Sequence, residues 1–152
     1  MPVPSSFETI KNDLFKRYGA HLAGNENGLF VTVSSGAANE NVQDALESSA
    51  RQLGFPKEAT GQAVTAINDV EQLKPKELIF IIETLDPLAV LASDIAATKS
   101  LADAYHMQIA LETEQRLLGR PLLCFENFED KISSPEDKKL AWKLLKHLRD
   151  HI

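Results

Sequence analysis

One cysteine in 152 residues, Cys124, leaves no room for an intramolecular disulfide, a four-cysteine zinc site or an all-cysteine iron–sulfur cluster. Its neighbours Leu122, Leu123 and Phe125 are apolar, so the thiol is expected in a core. The longest apolar runs fall far short of the ~20 residues that span a bilayer, and residues 1–6 lack the basic-then-apolar order of a signal peptide. A soluble protein of the reducing cytoplasm, without a membrane partner, is the expectation. There is no Gly-x-Gly-x-x-Gly, no Walker lysine, no internal repeat and no low-complexity linker. The sequence therefore assigns no cofactor and no metal.

Positive charge is also scarce. The net charge is −6, so the molecule as a whole repels a phosphate backbone and nonspecific nucleic-acid binding should be weak. The exception is residues 131–152, where six basic residues face three acidic ones, leaving −9 on residues 1–130.

What is present reads as one α/β domain over residues 1–152, long enough to bury roughly two thirds of its unfolded surface. Ser5 to Glu8 resembles a capping box, and Phe7, Ile10, Leu14 and Tyr18 form a helical stripe ended by Gly19. Residues 21–27 are a polar turn, residues 29–33 a first strand, and residues 41–53 a helix stopped by Gly54 and Pro56. Residues 63–67 form a second strand, and Asn68-x-x-Glu71 caps a short helix. The five large apolar residues 78–82, bounded by Pro75 and by Asp86-Pro87, are the expected central buried strand. Asp86 then caps a long helix, with Pro87 at its first position and Leu88, Leu91, Ala92, Ile95 and Ala102 facing the sheet. Residues 107–111 suit a short strand, residues 112–120 a charged loop or turn, residues 121–125 the last buried strand, and residues 126–133 a polar loop. Ser134-Pro135-Glu136-Asp137 is a strong helix start. The expected architecture is a three-layer α/β/α fold with a mostly parallel, four-stranded sheet.

Several residues are candidates for binding. Ser34, Ser35 and Gly36 follow the first strand, where backbone N–H groups can cradle a phosphate, although a bare connecting loop is the simpler reading. Asp94 suits a helix cap or buried hydrogen bond, or a site carboxylate. In the last helix Trp142 stands among Lys138, Lys139 and Lys146. It is either packed against the first helix or the sheet edge, with lysine stems over it, or an exposed anchor.

Three stretches carry a resemblance. Gln72-Leu73-Lys74-Pro75-Lys76, Leu53-Gly54-Phe55-Pro56, and Gly119-Arg120-Pro121-Leu122-Leu123 with Ser134-Pro135-Glu136-Asp137-Lys138-Lys139-Leu140-Ala141-Trp142 are similar to motifs of the uracil-DNA glycosylase superfamily, especially its thermophilic-type branch. The resemblance runs in order through residues 29–150 and implies that fold. It also implies a water-positioning polar residue after the first strand and a base-stabilising histidine after the last. Here Val33 and Asn127 stand at those positions, and the branch's cluster cysteines are missing. The chain also resembles the psi accessory subunits of bacterial replicase clamp loaders in length, in its Trp-bearing final helix and in the expected loss of both catalytic loops.

Two functions follow as expectations. The first is a noncatalytic, glycosylase-like domain acting through a protein partner, with no catalytic residue. The second is an enzyme on a nucleobase, nucleotide or nucleic acid, with Glu83, Asp86, Glu126 and Asp130 as candidate acids or bases and Asn127 holding a base edge. It requires the loops at 34–38, 83–87 and 126–131 to share one end of the sheet.

Overall fold

The computed structural model describes residues 6–24, 29–36, 40–54, 63–113 and 115–150, with the side chains of 6–9, 40, 149 and 150 outside that description. Six strands form one mixed sheet: β1 (Leu22–Gly24), β2 (Phe30–Val33), β3 (Val64–Ile67), β4 (Ala89–Ala92), β5 (Gln115–Leu117) and β6 (Arg120–Cys124), in the order β1-β3-β2-β4-β6-β5. The inner four run parallel, and β1 and β5 close the two edges antiparallel. The helices are α1 (Ser6–Arg17), α2 (Glu40–Gln52), α3 (Pro75–Leu85), α4 (Ile95–Tyr105), α5 (Phe128–Lys131) and α6 (Pro135–Asp150), with a 3-10 turn at Val70–Gln72.

Crossover handedness decides which helix covers which face. From β2 the chain moves to β3 on one side, then returns past β2 to β4 and on to β6 on the other. Crossovers of one hand must therefore change faces when the direction reverses. One core accordingly joins α1, α3 and α4 to Val31, Val33, Val90, Ala92, Leu122 and Cys124. The other joins α2, α5 and α6 to Phe30, Ala89, Leu91, Leu123 and Phe125. The strands' strict alternation between the two cores gives three layers.

The largest correction concerns residues 75–92. Residues 78–82 are helical, because Pro75 occupies the first turn and the Glu77 carboxylate accepts a hydrogen bond from the Lys74 N–H. Leu78, Ile81, Ile82 and Leu85 fall at i, i+3, i+4 and i+7 and are fully buried, each contributing roughly 2 kcal/mol. Phe80, within the same run, is 46% exposed, as a helix requires and a doubly covered strand forbids. Asp86 does not start a helix. It ends α3 in the left-handed region at φ 48°, with its N–H donating to the Ile82 carbonyl. The central strand is instead Ala89–Ala92, paired with both β2 and β6. The expected long helix is thus a strand followed by α4, and two members of its expected stripe, Leu88 and Ile95, are exposed.

Smaller differences have similar causes. Leu22–Gly24 pairs with β3 where a turn was expected. The 3-10 turn is preceded by Asp69 in the left-handed region with no side-chain cap, so Asn68 does not cap it. Residues 107–111 are irregular, and the edge strand lies at Gln115–Leu117, turning through Leu118 and Gly119 at positive φ. The polar loop at 126–133 contains α5, anchored by buried Phe128 against Phe125. Ile10 is half exposed, whereas Leu14 and Tyr18 are buried as expected. Ser5, Ala37, Ala38, Phe55 and Pro56 lie outside the described residues. Among the described residues no helix is long and apolar enough to cross a membrane.

Candidate functional site

In an open parallel sheet the ligand crevice lies where neighbouring strands send their following loops to opposite faces. Here that point falls between β2, which leads to α2, and β4, which leads to α4. The residues meeting there are Ser34 and Ser35 from one loop and Ser93 and Asp94 from the other. Small residues leave both loops close enough to bond directly.

The Ser34 and Ser93 hydroxyls, both buried, share a 2.6 Å hydrogen bond. The Ser93 Oγ also lies 3.3 Å from the Val33 carbonyl and 3.4 Å from Asp94 Oδ2, so its one proton has two nearby acceptors. Asp94 is the N-cap of α4: Oδ1 accepts from the Ala97 N–H at 2.8 Å. Its other oxygen, Oδ2, accepts from the Ser35 N–H at 3.0 Å. One side-chain carboxylate thereby engages a helix N-terminus and a donor of the facing loop, the two kinds of group that would hold a phosphate. Of the expected cradle, Ser34 and Ser35 belong to this network through hydroxyl and N–H, while the Gly36 carbonyl accepts from the Asp69 N–H at 3.4 Å.

Next to the crevice, at the carboxyl ends of β4 and β6, lies an open depression of about 440 Å³ lined by Ile95, Glu126, Asn127, Asp130, Lys131 and Asp137. Lys131 is tied to Glu112 at 2.8 Å, and that hydrogen bond raises its pKa. Asn127 bridges to Asp94 through its backbone and caps α5, its Oδ1 accepting from the Glu129 N–H at 3.1 Å. Three carboxylates beside this amide oppose any negative charge developing on a leaving group. Val33 is fully buried inside β2. Among the described residues no group of three or more His, Cys, Asp or Glu side chains could hold a metal ion.

Glu83 and Asp86 do not join this site, contrary to the expectation that loops 83–87 and 126–131 share an edge. With residues 78–82 helical, α3 ends at the amino edge of the sheet, beside the start of β6. There Arg120 grips Glu83 with both terminal nitrogens, at 3.0 and 2.6 Å, and reaches Asp86 at 2.9 Å. The Tyr105 hydroxyl donates to Glu83 at 3.1 Å. Arg120's hydrogen bonds hold the Glu83 carboxyl below its ordinary pKa, and burial with Glu83 close by raises that of Tyr105. This is a clamp joining α3, α4 and β6.

Trp142 is half-buried on α6 and packs toward α2 and α5, where the sequence offered only α1 or the sheet edge as packing partners. Lys146 lies over its ring at 5.5 Å, and Lys138, Lys139 and Lys146 are exposed. Reading the sequence missed Ser93 because β4 was read as helix. The signal was a Ser-Asp pair followed by Ala97 and Thr98, a helix start in the middle of an apparent helix. Arg120 gave no local signal, since its partners lie 34 and 37 residues away. Comparison of the chain with models of known protein families finds no match, and comparison with curated proteins finds none either.

Proposed function

We propose that this chain is a noncatalytic, uracil-DNA glycosylase-like α/β domain of the reducing cytoplasm that serves DNA metabolism as an accessory, through contact with another protein. The observation that carries the reading is the Asp94 carboxylate at the strand-order switch point, bonded to both Ser35 and Ala97. A fold of this kind binds its ligand there, and in this chain the donors are already engaged by the protein itself. Val33 in the core adds support, as do the carboxylates Glu126, Asp130 and Asp137 around Asn127, which oppose the charge of a departing base. Four inner parallel strands between two helical layers agree with the resemblance in motif order.

The rival reading, an enzyme on a nucleobase or nucleic acid, is favoured only by the depression beside Asn127. Affinity capture with the purified chain tests the proposal. One stoichiometric partner, retained by Asp94→Asn and accompanied by no base release, is the expected result. A monomer that captures nothing reproducibly would sink it.

A further inference from the structure

The groove between α2 and α6 combines an aromatic floor, an uncharged far wall and a basic rim. Trp142, Phe128 and Ile132 supply the floor, and Ala45 and Ser49 of α2 stand opposite, around a volume of about 290 Å³. Trp142 is only partly covered by the core it leans on, and Lys146 lies over its ring. Among the described residues no carboxylate lines the groove. On a helix, Lys138 and Lys146 stand one turn before and after Trp142, and Lys139 and Lys143 continue the same exposed flank. This stretch carries the chain's local positive excess, while residues 1–130 carry −9.

Building on the protein-contact reading above, we infer that this groove docks an acidic amphipathic helix of another protein, which buries an apolar side chain against Trp142 and sets its carboxylates on Lys138 and Lys146. Charge complementarity selects this occupant. A nucleic acid would meet the same lysines but also the acidic remainder of the molecule. A second copy of the chain would bring a like-charged body with it. A helix seated on an aromatic anchor between lysines matches the usual helix-in-groove arrangement, with a central hot spot and a charged rim.

Trp142 is the only tryptophan, so its emission reports occupancy directly. The probe is a synthetic helical peptide with leucines on one face and glutamates on the other, titrated into the full chain. Its lysine twin, a single-stranded oligothymidylate and dilution of the protein alone are the parallel arms, with calorimetry as a second readout. The expected result is a saturable change with the glutamate peptide, weakened about tenfold in Lys138→Glu/Lys146→Glu and about threefold by raised salt. An unchanged melting temperature shows that the variant is folded. No saturable binding by either readout, an equal response to the lysine twin, tighter binding of the oligonucleotide, or a change on dilution alone would each overturn the inference. If a protein partner is captured equally well by the double variant, the groove assignment fails while the protein-contact reading stands. Base release by the wild type would sink that reading without touching the peptide result.

Discussion

The two ends of the sheet both carry a cluster of polar side chains beside an apolar core, and they satisfy them differently. At the carboxyl edge, Asp94 spends its charge on backbone N–H groups, and the serine hydroxyls pair with each other. At the amino edge, Arg120 spends its charge on the side chains of Glu83 and Asp86, tying helix ends to a strand. The first cluster occupies the place where an α/β sheet ordinarily receives a ligand. The second lies where such sheets place no chemistry, yet its Glu83 and Tyr105 are perturbed by their neighbours and by burial. Perturbation alone is therefore a poor guide to a site in this molecule, because a structural clamp produces it as readily as catalysis does.

Breaking the clamp is the harshest way to test the contrast. Arg120→Ala removes a fork of charge-assisted hydrogen bonds and leaves Glu83 partly buried beside Asp86, so it should cost about 3 kcal/mol in urea unfolding. Trp142→Ala should cost about 2 kcal/mol, below the full penalty for a core tryptophan because the side chain is only partly buried. Asp94→Ala should cost about 1 kcal/mol as a lost helix cap. It should also be the only one of the three to acquire measurable affinity for inorganic phosphate, since it frees the Ser35 and Ala97 N–H groups. An Asp94→Ala protein that ignores phosphate would show that the carboxyl edge is not a closed anion site.

The mildest test is pH. The folded pKa of Glu83 is depressed, so its stabilisation is present above the unfolded carboxylate value of about 4.3 and is lost as pH falls through the folded value. The stability gap between the wild type and Glu83→Gln should then be constant near neutrality and shrink below about pH 4. A gap that does not shrink there would remove Glu83's charge from the clamp.

How much of this was legible in the sequence depended on how local the deciding contacts are. β2, α2, β3, β6 and α6 carry their own patterns and caps, and each lies within a few residues of its expected place. Residues 75–92 misled because five apolar residues fit a buried strand and a helix face alike. The arbiter was the Lys74–Glu77 capping pair together with an exposed Phe80, which the apolar run conceals. That exchange of strand for helix moved Glu83 and Asp86 to the wrong end of the sheet. The serines of the crevice were visible from their loop. Their partner Ser93 was not, because the pairing crosses 59 residues.

The measurement closest to the central claim is release of uracil or hypoxanthine from single-stranded DNA by the purified chain, alongside Asn127→Ala. With the switch point closed by Asp94 and Asn127 committed to capping α5, no release above the no-protein background is predicted for either protein. Turnover by the wild type that vanishes in Asn127→Ala would contradict the account and restore a catalytic role to the carboxyl edge.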